Sequence, residues 1–235
     1  MLEWLSDIDR ADKLVSDFVL YGFSIVAFAF MPAHFGRKVW LLVSWFLVLN
    51  VAFLLGLWDF LDWEGPALFI LFGQLPWILF VADLVFHGKL SGKVAAIPMR
   101  ELLLWQTTRL MGLHFVLAIY GGYAPEEFGL QVGFSEVVTG LGAVALYFGY
   151  NPARGVHRTL LLLWNTYGII SVLVAEFKIF LSNPHLPFTH YSREIFSYMI
   201  SYPQNWVYCF WFPVAIGMHA AVYYQFYLSR GSRPA

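Results

Sequence analysis

The chain has 235 residues, of which 60% are hydrophobic and only 12% are charged, and its formal net charge is -1. Soluble globular domains carry about 25% charged residues, so this composition excludes a soluble domain and a disordered chain. It also lacks the excess of positive charge that binds nucleic acid, and no nucleic-acid partner is expected. The sequence therefore indicates an integral membrane protein whose first partner is the lipid bilayer.

Several stretches are long and apolar enough to cross a bilayer as α-helices, which need about 20 residues each. Gly and Pro separate these stretches, as expected at turns. The seven predicted spans are 18–36, 39–60, 66–87, 101–123, 131–150, 159–182 and 203–228. We therefore expect an all-α membrane protein in which residues 1–235 form a single transmembrane domain of seven transmembrane helices.

An amphipathic segment at about 192–202 precedes the last predicted span. Its apolar and aromatic side chains are spaced as in a short helix lying at the membrane interface. Ser192 or Thr189 is expected to cap this helix, because a hydroxyl oxygen accepts the free N–H groups of a first turn.

Basic residues fix the predicted orientation. Nine of the 14 Lys and Arg residues fall in alternate loops and the C-terminal tail: Arg37, Lys38, Lys89, Lys93, Arg100, Arg154, Arg158, Arg230 and Arg233. Two loops on the other side contain acidic residues and no Lys or Arg: one carries Asp59, Asp62 and Glu64, and the other carries Glu126 and Glu127. Because cytoplasmic loops are enriched in basic residues, we expect the N-terminus outside, the C-terminus in the cytoplasm, and a multi-pass protein of the inner (plasma) membrane.

Three polar side chains within the spans lie at similar predicted depths. Arg109, Asn165 and His219 lie roughly 10–16 Å from the cytoplasmic boundary, counted at 1.5 Å per residue. Asp83 lies at the inner edge of this layer and is a candidate partner for Arg109, which otherwise bonds backbone carbonyls. Polar groups gathered inside a membrane mark a pathway, a relay or a ligand pocket, or else hydrogen bonds that join helices.

Glu136 is placed about a third of the way from the outer face in the fifth span. Gly133 and Gly140 beside it allow a neighbouring helix to approach closely. The functional interpretation is that Glu136 carries a proton, and the alternative is a hydrogen bond to a neighbouring helix.

A b-type haem is a further alternative, since it requires two histidines at matching depth on facing helices. His114 and His219 are the mid-span histidines, at roughly 21 Å and 16 Å, but no i, i+3 or i, i+4 spacing strengthens this interpretation. The chain has one cysteine, and we find no nucleophile, nucleotide or metal-binding motif. An enzymatic activity is therefore not the leading expectation.

Short motifs in the second half are similar to known sequences. They are Arg109-x-x-Gly112, Ser135-Glu136, Trp164-Asn165-x-x-Gly168, and Pro213 with His219. Over about residues 100–228 the chain resembles a group of uncharacterised bacterial multi-pass inner-membrane proteins, in which Gly-Asp usually stands in place of Ser135-Glu136. The resemblance implies no activity, but it implies that Arg109, Glu136, Asn165 and His219 belong to one intramembrane site.

These observations predict a bacterial membrane protein that binds or transports a small ligand, for which an anion is one candidate, or a proton. Arg109 would hold the anionic group, Asn165 and His219 would donate hydrogen bonds, and Glu136 would carry the proton. One alternative is an accessory subunit that packs against other subunits of an electron-transfer or photosynthetic membrane complex. Another is an enzyme acting on a lipid or a quinone, with His219 or Glu136 as the acid or base.

Overall fold

The computed structural model describes residues 89–184, 190–201, 204 and 207–231, together with positions 19, 20, 22, 40, 43–45, 47–48, 51–52 and 55. The isolated positions in the first two predicted spans are helical, except for Leu55 in a turn. The rest of those spans, the span 66–87 and Asp83 lie outside the described residues. All regular elements of the described part are helices, which confirms the all-α class.

From residue 89 onward, the described residues form six helices. They are α1 (Lys89–Ala96), α2 (Met99–Tyr120), α3 (Glu126–Gly149), α4 (Gly155–Leu181), α5 (Arg193–Ile200) and α6 (Phe212–Gly231). The middle of α2 is a 3₁₀-helix over Thr107–Gly112, and a π-helical segment over Val207–Trp211 leads into α6.

Three of these helices, α2, α3 and α4, are long and apolar enough to cross a membrane. They correspond to the predicted spans 101–123, 131–150 and 159–182. The π-helical segment and α6 occupy the predicted span 203–228, but α6 is not among the three, because His219, Gln225 and several tyrosines dilute its apolar residues. The number of spans and their direction across the membrane stay predictions.

Turns and caps form where the sequence predicts them. After α2, Gly122 has a φ of 74°, a left-handed conformation that suits glycine and ends the helix. Pro125 then precedes α3, whose first turn carries Glu126 and Glu127 next to the positive end of the helix dipole. Before α5, Ser192 Oγ accepts a hydrogen bond of 3.2 Å from the backbone N–H of Glu194, as predicted.

Four of the described helices pack around a group of buried polar side chains. Helix α3 packs against α2 on one side and α4 on the other, and α6 packs against both α4 and α2. The circuit α2–α3–α4–α6 therefore closes on itself. Aromatic pairs fill the space around it, including Trp105 with Trp211 at 5.7 Å and Phe115 with Phe128 at 5.9 Å between ring centroids.

Candidate functional site

An ion pair lies at the centre of the helix circuit. Arg109 of α2 and Glu136 of α3 face each other with side chains that are 0% and 2% exposed. The guanidinium donates from Nε to Glu136 Oε2 and from Nη2 to Glu136 Oε1, so the two groups form a bidentate ion pair. This geometry is the strongest arrangement for arginine and a carboxylate. It compensates both charges where neither has access to water.

The backbone of α2 brings these two groups together. Thr107 and Thr108 donate their hydroxyls to the carbonyl oxygens of Leu104 and Trp105, at 2.6 Å and 2.7 Å, where the 3₁₀ segment begins. At the other end of this segment a Cβ on Gly112 would collide with Glu136 and with the neighbouring backbone. Glycine at this position therefore allows α2 to approach α3 closely enough for the ion pair to form.

His219 and Asn165 extend the hydrogen bonding from α2 to α4 and α6. Asn165 Nδ2 donates to the backbone oxygen of His219 at 3.0 Å, which turns Asn165 Oδ1 toward His219 Nδ1 at 2.8 Å. An amide oxygen only accepts hydrogen bonds, so Nδ1 carries the ring proton. His219 Nε2 then accepts from Arg109 Nη1 at 3.3 Å. A doubly protonated ring has no such acceptor, so this arrangement requires a neutral imidazole.

Helix α4 supplies three further groups around His219. Gly168 leaves room for the imidazole, since a Cβ there would lie 2.6 Å from His219 Nε2. Ser171 Oγ lies 3.5 Å from Arg109 Nη2, and it donates to the Gly168 carbonyl at 2.8 Å. The ring centroids of Trp164 and His219 are 5.6 Å apart. The indole N–H of Trp164 donates to the Thr139 carbonyl oxygen at 2.8 Å. We refer to Arg109, Glu136, Asn165, Ser171 and His219 as the polar cluster.

The polar cluster unites four residues singled out in the sequence: Arg109, Glu136, Asn165 and His219. Their joint action on a ligand stays a prediction. The partner of Arg109 in the described structure is Glu136, whereas Asp83 lies outside the described residues. The sequence estimate placed Glu136 nearer the outer face than Arg109, whereas the structure brings their side chains into direct contact; their depth in a membrane stays a prediction. The helix carrying Glu136 begins at Glu126 rather than at residue 131, so Glu136 lies deeper within it.

His114 and His219, the two candidate haem ligands, are not arranged as an axial ligand pair. Both ring nitrogens of His219 face protein groups, namely Asn165 and Arg109. Axial ligation would require one of these nitrogens to face an iron. His114 is buried in α2 and packs edge-on against Phe115, with 5.3 Å between ring centroids. Among the described residues, no group of three or more His, Cys, Asp or Glu side chains is arranged to hold a metal ion.

Two polar residues, Ser171 of the polar cluster and Gln106 of α2, were not predicted as site residues. Ser171 stands three residues after Gly168, which itself stands three residues after Asn165, so a helical face pattern was present in the sequence. Gln106, three residues before Arg109 in α2, is fully buried. The sequence signal for Gln106 was its position within an apolar span, because buried amides need hydrogen-bond partners.

The comparisons with known proteins identify a family and no activity. The family model described as "Domain of unknown function (DUF8737)" matches residues 66–227, which includes every residue of the polar cluster. Searches of curated proteins and of solved structures each found no match.

Proposed function

The chain belongs to the family described as "Domain of unknown function (DUF8737)", and we propose that this member is a membrane protein that binds a small anion together with one proton. Glu136 takes the proton, and Arg109 then holds the anion. The proposal includes the sequence-predicted setting, a bacterial inner membrane crossed seven times with the N-terminus outside. The alternatives of a complex subunit and of a lipid- or quinone-modifying enzyme stay predictions.

A membrane location is supported by the side chains on the outside of the long helices. Large apolar residues there are highly exposed, among them Phe134 and Phe148 of α3 and Leu163 and Phe177 of α4. So many large exposed apolar side chains on long apolar helices are unusual on soluble monomers and are normal where helices face lipid.

The charge balance of the polar cluster is the observation that carries the proposal. Arg109 contributes one positive charge, Glu136 one negative charge, and the hydrogen bonds of His219 require a neutral ring. A proton added alone would leave an uncompensated positive charge in a buried place, and an anion added alone would leave a negative one. Each buried ion carries a desolvation penalty of several kcal/mol. A proton and an anion taken up together keep the centre neutral.

The geometry supports the exchange of one carboxylate for another. The guanidinium of Arg109 donates to the Glu136 carboxylate from Nε and Nη2, which form a fork of two N–H groups. Protonation of Glu136 removes the negative charge with which this fork pairs. A carboxylate or phosphate matches the same fork, because both accept two parallel N–H bonds. The bound anion therefore takes the role that the ionised Glu136 carboxylate has in the ion pair with Arg109.

Calorimetry with acetate tests the proposal. The purified protein in detergent is titrated with acetate in two buffers of different ionisation enthalpy, which yields the number of protons taken up on binding. We expect about one proton per acetate, since the unprotonated centre does not accept the anion. Glu136→Gln, purified in acetate, is expected to bind acetate without proton uptake, because glutamine stands for the protonated acid.

Glu127→Gln is the matched control. Glu127 is the half-exposed partner of Lys178, 3.4 Å away at the start of α3, so this variant should behave as the wild type. Absence of acetate binding, or binding without proton uptake in the wild type, would refute the proposal.

A further inference from the structure

Gln106 is a buried amide beside the polar cluster. Its side chain is fully buried in α2, and neither its Oε1 nor its Nε2 has a hydrogen-bond partner in the part of the chain that the structure describes. Native proteins rarely leave both ends of a buried amide unsatisfied. A single group that both donates and accepts would satisfy both ends of the Gln106 amide.

The 3₁₀ segment places Gln106 in line with Arg109. Gln106 immediately precedes this segment and has helical backbone angles, with φ -65° and ψ -13°. Residues three apart eclipse one another in a 3₁₀-helix, with a rise of about 2.0 Å per residue. The two side chains therefore leave the same face of α2, separated by about 6 Å along its axis. Gln106 lies on the side of Arg109 nearer the start of the helix.

From this placement we propose that Gln106 is a second contact of the anion site and that the ligand is a small hydroxycarboxylate. The inference rests on the proposed function: the ligand carboxylate binds Arg109, and its hydroxyl binds Gln106. A hydroxyl donates to Oε1 and accepts from Nε2, so it satisfies both ends of the amide at once. An amino group in the same place would be cationic and would leave the centre with an excess positive charge, so the charge balance disfavours amino acids.

Lactate and propionate form the test pair, because they differ only by the hydroxyl. Calorimetry on the wild-type protein in detergent is expected to show lactate, in one of its enantiomers, binding at least about tenfold more tightly than propionate. In Gln106→Leu, which is similar in volume and apolar, the ratio should fall to about one. Gln131→Leu is the matched control, since Gln131 is exposed near the start of α3, and it should keep the wild-type ratio.

A second readout checks the state of Gln106 without any ligand. Leucine removes two unsatisfied polar atoms, so the melting temperature of Gln106→Leu should equal or exceed that of the wild type. A clearly lower melting temperature would show that Gln106 has a protein partner, and it would overturn the inference.

The outcomes separate this inference from the proposed function. Equal binding of lactate and propionate with proton uptake would overturn the role of Gln106 and leave the proton-coupled anion site intact. Preference for lactate that survives in Gln106→Leu would also overturn it. Absence of binding by either acid, and by acetate, would overturn both.

Discussion

Glu136→Gln is expected to destabilise the protein far more than Glu127→Gln, although both changes remove a carboxylate of α3 that faces a basic residue. The Arg109 and Glu136 side chains are 0% and 2% exposed. Those of Lys178 and Glu127 are 10% and 60% exposed. Breaking a buried pair by removing one partner costs about 3–5 kcal/mol, because the remaining charge is uncompensated. Breaking the half-exposed pair should cost about 0–1 kcal/mol.

A double-mutant cycle measures the coupling between the two buried charges. The free energies of unfolding of Arg109→Gln, Glu136→Gln and the double variant are obtained by titrating mixed micelles with a denaturing detergent and following tryptophan fluorescence. The double variant leaves no unpaired charge, so it should be more stable than either single variant. We expect a coupling energy of at least about 2 kcal/mol.

Measuring the free energies of unfolding in the presence of acetate connects stability with anion binding. It should restore part of the stability lost in Glu136→Gln, since it supplies the missing negative charge, and it should not stabilise the double variant. Additive effects in the cycle would show that the two groups are not a compensating pair, and the reasoning from buried charge would then fail.

Further predictions concern the groups that hold His219. Gly168→Ala should lower the free energy of unfolding by about 1–3 kcal/mol, because the added methyl group would overlap the His219 imidazole. Gly155→Ala is the control and should not lower it, because the space around Gly155 is open. Equal melting temperatures of the two variants would contradict this prediction. Nitrogen-15 spectra of labelled His219 should show a proton on Nδ1 and none on Nε2, as the bond to Asn165 requires, and a doubly protonated ring would be the contrary result. Trp164→Phe removes an indole donor to a backbone carbonyl of α3 and should cost about 0.5–1.5 kcal/mol in thermal unfolding, whereas an unchanged stability would show that this bond contributes nothing.

The sequence predicted the long helices because their signals are local. Continuous apolar runs, with Gly122, Pro125 and Asn151 as turn residues between them, placed α2, α3 and α4 within a few residues of their observed ends. The start of α3 was placed too late, because Glu126 and Glu127 were interpreted as loop residues. Acidic side chains are favoured in the first turn of a helix, so a charge does not by itself end the helical region.

The sequence alone could not identify the partner of Arg109. Counting residues from the loops gives a depth along each helix, but it does not tell which helices are neighbours. Asp83 and Glu136 were therefore judged by depth alone, and only the packing of α2 against α3 brings Glu136 to Arg109. The motif resemblance grouped Arg109, Glu136, Asn165 and His219 without any estimate of depth, and their side chains are in contact in the structure; their role as one site stays a prediction.

The 3₁₀ segment Thr107–Gly112 also sets the length of α2. Rewinding its six residues into an α-helix would shorten α2 by about 3 Å and rotate its two halves relative to each other by about 120°. Arg109 lies within this segment, so such a screw motion would pull the guanidinium away from Glu136. The length of α2 and the pairing of its arginine with Glu136 are therefore coupled, and a distance measured between spin labels at the two ends of α2 would report on both.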